Sequence, residues 1–380
     1  MHGKLIGKWF TVILLSYAIT SLSLFAAEPP EIAAKSYLLI DYNSQVVLAS
    51  KNADKRIELA SITKLMTAYV LYKELEKGNV SKNDVVLISE KAWRMKGSRM
   101  FVEANKKVPF ERLMNGLIIQ SGNDAAVALA EHAYGTEASF VSRMNSEAKR
   151  LGMTNTHFTN ATGWPDKNHY STANDIARLT RTVISEYPKH YKEYKIKEYS
   201  YNGIKQYNRN KLLWLDPTVD GVKTGHTESA GYCLVSSAKR NGMRLISVVI
   251  GTDTVKERSF ASQQLLEYGY QFFETNKVYA ANHALEEIRI WKGEKEKVAV
   301  GFIDDFYVTV AKGSYSSLKG NISYESGIDA PIYRGDKLGK VVLKNAQDKV
   351  VLEAPLEALE TVTGGGLWRK VTDGVQKVFH

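Results

Sequence analysis

Three short motifs with reactive side chains follow one another along this sequence of 380 residues. They are Ser61-Ile62-Thr63-Lys64, Ser121-Gly122-Asn123 and Lys223-Thr224-Gly225. Together they supply a hydroxyl nucleophile, an amine base, a second hydroxyl and a cation that can hold a carboxylate. A serine enzyme that transfers acyl groups without a catalytic histidine needs this inventory. The motifs therefore predict cleavage of a peptide through an acyl-serine intermediate.

The first motif differs from other Ser-x-x-Lys matches in its context. The same pattern occurs at Ser146–Lys149, Ser236–Lys239 and Ser316–Lys319. Ser61, however, begins an apolar segment with helical spacing, where a helix N-terminus favours a developing alkoxide. Lys64 projects from the same face and can reach the hydroxyl. Burial near a second cation, here Lys223, would lower the pKa of Lys64, so we predict Ser61 as nucleophile and Lys64 as its base.

The other two motifs supply groups for proton transfer and substrate binding. Ser121 can relay a proton to the leaving amine, and Asn123 can orient Lys64 or hold a substrate amide. Simple helix capping is the alternative for this loop, which lies between two predicted helices. Lys223 and Thr224 can bind a terminal carboxylate, and Gly225 lets the substrate backbone approach a strand edge. Alone, the third motif could equally be an ordinary strand end.

An oxyanion hole completes this chemistry. The backbone N–H groups of Ser61 and of a residue just after the third motif are suitable donors. His226 is the best candidate for the second donor. It is therefore predicted to bind through its backbone rather than to react through its imidazole.

At these motifs the chain resembles the low-molecular-mass penicillin-binding proteins, specifically the serine-type D-alanyl-D-alanine carboxypeptidases. The likeness is carried by 60–67, by 120–125, by Asn208-Arg209-Asn210 with Leu212-Leu213-Trp214, and by 220–227. It extends to a terminal β domain and tail. Two departures are Leu59, where the family often has proline, and a segment between Lys91 and Met100 that looks shorter than in some relatives.

The resemblance implies an activity and places its residues. Ser61 would attack the penultimate D-Ala carbonyl of a peptidoglycan stem pentapeptide, terminal D-Ala would leave, and water would release the trimmed peptide. β-Lactam antibiotics would act as covalent inhibitors. Arg209 would help to bind the substrate carboxylate, in keeping with the bidentate geometry of a guanidinium. No cofactor and no metal are implied.

The elements that must position these residues indicate an α+β fold. The expected architecture is the penicillin-binding/β-lactamase-like transpeptidase fold, an antiparallel sheet with helices on both sides and a helical subdomain. A hairpin near residues 36–50, central helices, three strands between 221 and 250 and a helix over 255–273 fit it. We predict the peptidase domain over 28–280 and a small, sandwich-like all-β domain over 284–363.

Both ends of the chain suggest export and membrane contact. Residues 1–27, with Lys4 and Lys8 before an apolar run, are predicted to be a signal peptide, and an uncleaved anchor is the alternative. Residues 364–380 are predicted to be a glycine hinge and an amphipathic helix on the membrane surface, with core packing as the alternative. The expected location is the periplasmic face of the inner membrane.

Composition and motif content narrow the choice of binding partner and of function. The net charge is +10, which in an exported protein favours an anionic membrane surface or cell-wall polymer over nucleic acid. Cys233 is the only cysteine, so an intrachain disulfide is impossible. A class A β-lactamase is an alternative, but no Glu-x-x-Leu-Asn pattern lies between Asn123 and Lys223. The other alternative is a non-catalytic penicillin-binding scaffold, and the intact Ser61, Lys64 and Lys223 argue against it.

Overall fold

The computed structural model describes residues 28–377, and this part of the chain contains sixteen strands and ten α-helices. The predicted signal peptide and the end of the predicted tail, including Val378 and Phe379, lie outside the described residues. The strands are β1 Ser36–Asp41, β2 Val47–Lys51, β3 Val85–Leu87, β4 Lys107–Pro109, β5 Glu198–Tyr201, β6 Ile204–Tyr207, β7 Val219–Thr227, β8 Gly231–Arg240, β9 Met243–Thr252, β10 Phe273–Tyr279, β11 Ala284–Arg289, β12 Lys297–Gly301, β13 Phe306–Ala311, β14 Lys319–Tyr324, β15 Lys337–Lys344 and β16 Val350–Ala358. The helices are α1 Lys64–Glu76, α2 Glu90–Trp93, α3 Phe110–Asn115, α4 Asn123–Tyr134, α5 Glu137–Arg150, α6 Ala173–Glu186, α7 Pro188–Tyr191, α8 Leu212–Leu215, α9 Val255–Phe272 and α10 Leu367–Gln376.

A five-stranded antiparallel sheet forms the centre of the first domain, in the order β2-β1-β9-β8-β7. Successive residues of its strands point to opposite faces, so Leu38 joins the core shared with α1, α4 and α6, and Leu39 joins the core shared with α9. The predicted sheet with helices on both sides is confirmed. Strand β7, which carries the third motif, lies at one edge.

The helical part of this domain follows the prediction with two local differences. The predicted helix from Ser61 begins as a 3₁₀ turn over Ala60–Thr63, and α1 starts at Lys64. The helix predicted before the Ser121 loop is α3 followed by a π-helical turn, Gly116–Gln120. A Cβ on Gly116 would lie 2.4 Å from Met100 Sδ, so this turn packs closely against the segment before it.

The second domain is all β, as predicted. It contains the sheet β11-β12-β16-β15-β14 and the β10–β13 ribbon, whose apolar residues share one core. Strand β10 precedes the predicted boundary at residue 280 but pairs with β13 of this domain. Buried Asp41 of the first domain accepts a hydrogen bond from Thr275 Oγ1 at 2.8 Å, so the two domains are in direct contact.

Helix α10 contacts the β domain through its polar side. The contacts are Asp373 to the backbone N–H of Lys292 (2.5 Å), Lys377 to Asp329 (2.8 Å) and Arg369 to Glu296 (2.8 Å). Its apolar residues face outward, and Leu367 and Trp368 are 84% and 86% exposed. In the part of the chain described, no helix has both the length and the apolar character needed to cross a membrane.

The predicted glycine hinge before α10 is held in place. The Gly365 N–H donates to the Lys292 carbonyl at 2.7 Å, and Gly364 forms a bridge with Gly293. A Cβ on Gly365 would lie 2.8 Å from the Gly293 oxygen. Glycine therefore serves here to let two chain segments approach closely, which ties α10 to the domain.

Candidate active site

Ser61 and Lys64 lie one helical turn apart at the start of α1. The preceding residue, Ala60, has a φ of +48°, so the 3₁₀ turn that carries Ser61 begins at a residue with a left-handed backbone. Lys64 Nζ is 3.0 Å from Ser61 Oγ, and the Lys64 residue is only 1% exposed. The structure thus places the predicted nucleophile and base in direct hydrogen-bonding contact.

Lys64 has two further partners that define its protonation chemistry. Its Nζ donates to Asn123 Oδ1 at 2.6 Å and to the Thr162 carbonyl at 2.7 Å. A neutral amine has two N–H donors and one lone pair. With both donors directed to these oxygens, the lone pair points at Ser61 and can accept its proton.

The pKa of Lys64 is low enough for that neutral form to be populated. Burial lowers it most, the Arg209 charge lowers it further, and Asp124 opposes them, with a result of about 7. The sequence assigned the neighbouring cation to Lys223, whereas the charge that acts on Lys64 here is that of Arg209. A substantial share of the Lys64 amines would therefore be neutral at neutral pH.

Ser121 and Lys223 form a second hydroxyl–amine pair. Lys223 Nζ lies 2.8 Å from Ser121 Oγ and 3.2 Å from the Thr224 carbonyl. Burial and then the charge of Lys64 lower the Lys223 pKa well below its usual value. Ser121 has a left-handed backbone (φ +66°), which turns its side chain away from the helix toward the cleft.

The second motif also fixes the loop before it. Asp124 accepts backbone N–H bonds from Met100 (3.0 Å), Phe101 (2.9 Å) and Val102 (3.3 Å). Asn123 Nδ2 donates to the Lys96 carbonyl at 2.6 Å, so the amide oxygen is left to face Lys64. This arrangement goes beyond helix capping, the alternative weighed from the sequence.

A loop over residues 160–165, which sequence reasoning missed, forms one wall of the cleft that Ser61 and Ser121 face. Asn160 Oδ1 accepts from the backbone N–H groups of Thr162 (3.1 Å), Gly163 (2.8 Å) and Trp164 (3.0 Å). This turn aims the Thr162 carbonyl at Lys64. Gly163 has a φ of +82°, and a Cβ there would lie 1.8 Å from the Ala60 carbonyl oxygen. The one sequence signal for this turn was Asn160 placed three residues before Gly163, because asparagine and glycine both favour turns.

Strand β7 comes close to the nucleophile because Gly225 has no side chain. A Cβ on Gly225 would lie 2.6 Å from the Leu59 carbonyl oxygen. His226 follows it with an exposed imidazole stacked on Tyr232 at 3.9 Å between ring centroids. Arg258 of α9, also missed from the sequence, donates to the Gly225 carbonyl at 3.3 Å.

These elements enclose a cleft of about 570 Å³. Of the nine predicted site residues, seven line it, namely Ser61, Ser121, Asn123, Arg209, Thr224, Gly225 and His226. Lys64 and Lys223 lie behind Ser61 and Ser121, so the cleft meets their hydroxyls first. No hydrogen bond or ion pair to the Arg209 guanidinium occurs within residues 28–377, and this region has no group of metal ligands.

The sheet order, the helical layers and the position of this cleft define a protein of the penicillin-binding class. Residues 23–254 match the family model for D-alanyl-D-alanine carboxypeptidases of peptidase family S11. Residues 273–364 match the model for the C-terminal domain of penicillin-binding protein 5. The chain belongs to the D-alanyl-D-alanine carboxypeptidase family, and the predicted enzyme class is confirmed.

Individual relatives cover almost the whole chain. The D-alanyl-D-alanine carboxypeptidase DacA of Haemophilus influenzae is 42% identical over 356 residues, which are 92% of this chain and 90% of the relative. DacA of Escherichia coli K12 is 39% identical, with 92% and 89% covered. The crystal structure of penicillin-binding protein 5 from H. influenzae superimposes with a TM-score of 0.85 at 42% identity, over 88% of this chain and 99% of that one.

A solved structure with lower sequence identity contains a bound β-lactam. Penicillin-binding protein D2 from Listeria monocytogenes was solved in an ampicillin-bound form. It matches with a TM-score of 0.59 at 29% identity, over 64% of this chain and 99% of that one.

Proposed function

We propose that this enzyme removes the terminal D-Ala of peptidoglycan stem pentapeptides through an ester on Ser61, and that β-lactams acylate the same oxygen. The observation that carries the proposal is the bonding of Lys64, whose two N–H donors are occupied while Ser61 Oγ lies 3.0 Å away. The proposed binding of the substrate carboxylate rests on the Arg209 guanidinium, which lines the cleft and has no ion-pair partner among residues 28–377.

Substrate binding would begin at the carboxylate end. Arg209 is exposed and lines the cleft together with Thr224, so both can meet a terminal carboxylate. Lys223 was predicted to take part in this contact. Its amine is buried behind Ser121, with Ser121 Oγ between it and the cleft, so it would act on the carboxylate end through its hydrogen bond to Ser121. The edge of β7 offers backbone groups to an extended peptide.

Acylation then follows from the positions of the hydroxyls. Ser61 Oγ attacks the penultimate D-Ala carbonyl, and its proton passes to the Lys64 lone pair. The Ser61 and His226 N–H groups are the proposed oxyanion hole. Because Lys223 donates to Ser121 Oγ, the Ser121 proton is free to point into the cleft, where it can be passed to the leaving nitrogen. The proton that Lys64 took from Ser61 then replaces the one that Ser121 gave up, so one proton in all moves from Ser61 to the leaving amine. D-Ala leaves as the amine, and water attack on the ester regenerates Ser61.

Two measurements test this assignment. The purified protein should release free D-Ala from a peptide ending in D-Ala-D-Ala, whereas a non-catalytic scaffold would release none. Ser61→Ala should abolish covalent labelling by fluorescent penicillin, and Ser229→Ala, at an exposed serine outside the cleft, should leave it intact. Persistent labelling of Ser61→Ala would show that the nucleophile is another residue.

We further propose that the enzyme is exported by residues 1–27 and held at the periplasmic face of the inner membrane by α10. The proposal is supported by the face that α10 turns outward. Its polar side bonds to the β domain, and its apolar side is exposed to water. An exposed Trp, Leu and Val face of this kind suits the boundary between headgroups and acyl chains. This arrangement does not fit the alternative of core packing.

Substitutions on that face test the attachment without disturbing the fold. Trp368→Ser with Val371→Ser should move the mature protein from vesicle pellets to the supernatant while D-Ala release stays unchanged. Thr372→Ala, on the same helix, serves as the control. Equal pelleting of the double variant and the wild type would refute membrane attachment through α10.

A further inference from the structure

Trp164 is a large apolar side chain in a cleft otherwise formed mostly by hydroxyl, amide and guanidinium groups. It lines the cleft and remains 46% exposed. A Cβ on Gly97 would lie 3.5 Å from Cζ3 of Trp164, so the indole lies against the facing loop. Such exposed aromatic surface at a binding cleft is available to a ligand.

The position of this indole is fixed by the loop that serves Lys64. Asn160 bonds to both backbone groups of Trp164, accepting from its N–H and donating to its carbonyl, each at 3.0 Å. The neighbouring Gly163 is pressed against Ala60, the residue before Ser61. The backbone of Trp164 is therefore held at a set place relative to the nucleophile, by contacts that do not involve the ring.

Its place along the bound peptide follows from the two walls of the cleft. Arg209, Thr224 and β7 would bind the terminal D-Ala and the peptide backbone. The loop 160–165 contacts the turn that carries Ser61 at the Ala60 carbonyl and Thr63, whereas Gly225 of β7 contacts it at the Leu59 carbonyl and the Ile62 nitrogen. Both D-Ala residues carry only a methyl group, so the third residue of the stem is the first whose side chain could cross to the indole. An indole face favours methylene groups and attracts a cation.

We propose that Trp164 is a specificity-determining residue that binds the side chain of the residue preceding D-Ala-D-Ala, with preference for a methylene chain ending in an ammonium group. This inference rests on the proposed function and deepens it, because it concerns the substrate range of the same site. Trp164 takes no part in the bond-making steps.

The test compares D-Ala release from acetyl-Lys-D-Ala-D-Ala, with its ε-amine free, and from acetyl-Gly-D-Ala-D-Ala. In the wild type, kcat/KM should favour the lysine peptide on the order of tenfold. Trp164→Ala should abolish this preference and change the glycine peptide by less than about twofold, since the bonds that hold the loop are backbone bonds. Trp164→Phe should retain part of the preference. Trp214→Ala removes an equally exposed Trp (43%) outside the cleft and should retain all of it.

Binding measurements separate this inference from the proposed function. Calorimetry on Ser61→Ala, with and without Trp164→Ala, reports the affinities for both peptides with no turnover. Absence of D-Ala release by the wild type would overturn the proposed function, yet the affinities would still decide the role of Trp164. An unchanged lysine preference in the Trp164→Ala proteins, or an equal loss for both peptides, would overturn the Trp164 assignment.

Discussion

Replacing Gly163 by alanine tests whether the loop that carries Thr162 must lie against the turn that carries Ser61. The new Cβ would lie 1.8 Å from the Ala60 carbonyl oxygen and 2.8 Å from Thr63 Oγ1. Ordinary contact begins at about 3.4 Å, so the two segments must separate by about 1.6 Å. That movement is large enough to break the 2.7 Å bond from Lys64 to the Thr162 carbonyl.

The expected magnitude follows from this displacement. A misplacement of about 1 Å near reacting groups costs on the order of 100-fold in rate. Acylation by fluorescent penicillin, measured as a second-order rate constant, should therefore fall by about 100-fold or more in Gly163→Ala. D-Ala release should fall in parallel, and thermal unfolding should show that the variant is folded during the assay.

A matched glycine separates the steric clash from the backbone conformation. Gly135, at the end of α4, has a φ of +75° but no atom within 4 Å of an added Cβ. Gly135→Ala should lose about 1 kcal/mol of stability from its positive φ and keep the wild-type rate of acylation. Wild-type acylation by Gly163→Ala would refute the role assigned to this close contact.

Three further predictions concern the charges of the cleft. Because Lys64 must be neutral to accept the Ser61 proton, the acylation rate constant should fall about tenfold per pH unit below a pKa of about 7 and level off above it. A rate constant that does not change from about pH 5.5 to 8 would contradict this. Arg209→Gln removes a charge that lowers the Lys64 pKa, so the inflection should move to higher pH, whereas Arg209→Lys should keep it; an unmoved inflection in Arg209→Gln would assign the effect to burial alone. Lys223→Ala should weaken cleavage of peptides with a free terminal carboxylate more than that of an amidated analogue, and equal losses would exclude a role for Lys223 in binding the carboxylate.

The sequence identified the residues whose chemistry depends on short-range spacing. Ser61 and Lys64 are one turn apart in any helix, so their contact could be predicted without knowing the fold. The edge strand with Lys223 and Gly225 could likewise be predicted from alternation and turn residues. Their meeting in one cleft came from the family resemblance, because spacing along the chain does not show which distant segments touch.

The groups that were missed act through the backbone or through long-range packing. The Thr162 carbonyl is 98 residues from Lys64 in the chain, and a main-chain acceptor has no residue-type signature. The charge that lowers the Lys64 pKa was assigned to Lys223 because both belong to motifs, whereas Arg209 supplies it. At Gly365, flexibility was inferred from composition, but the absent side chain instead allows a tight contact with Gly293.

The way α10 is docked determines what kind of lipid contact is open to it. Arg369 forms an ion pair with Glu296, and Lys377 forms one with Asp329. Among the basic residues of the described range 364–377, Lys370 is the one that is outside an ion pair. A basic residue near an anionic bilayer contributes about 1 kcal/mol, and salt screens that attraction. Attachment through this helix would thus depend mainly on insertion of Leu367 and Trp368, would be weakened only slightly by high ionic strength, and would persist on zwitterionic lipid.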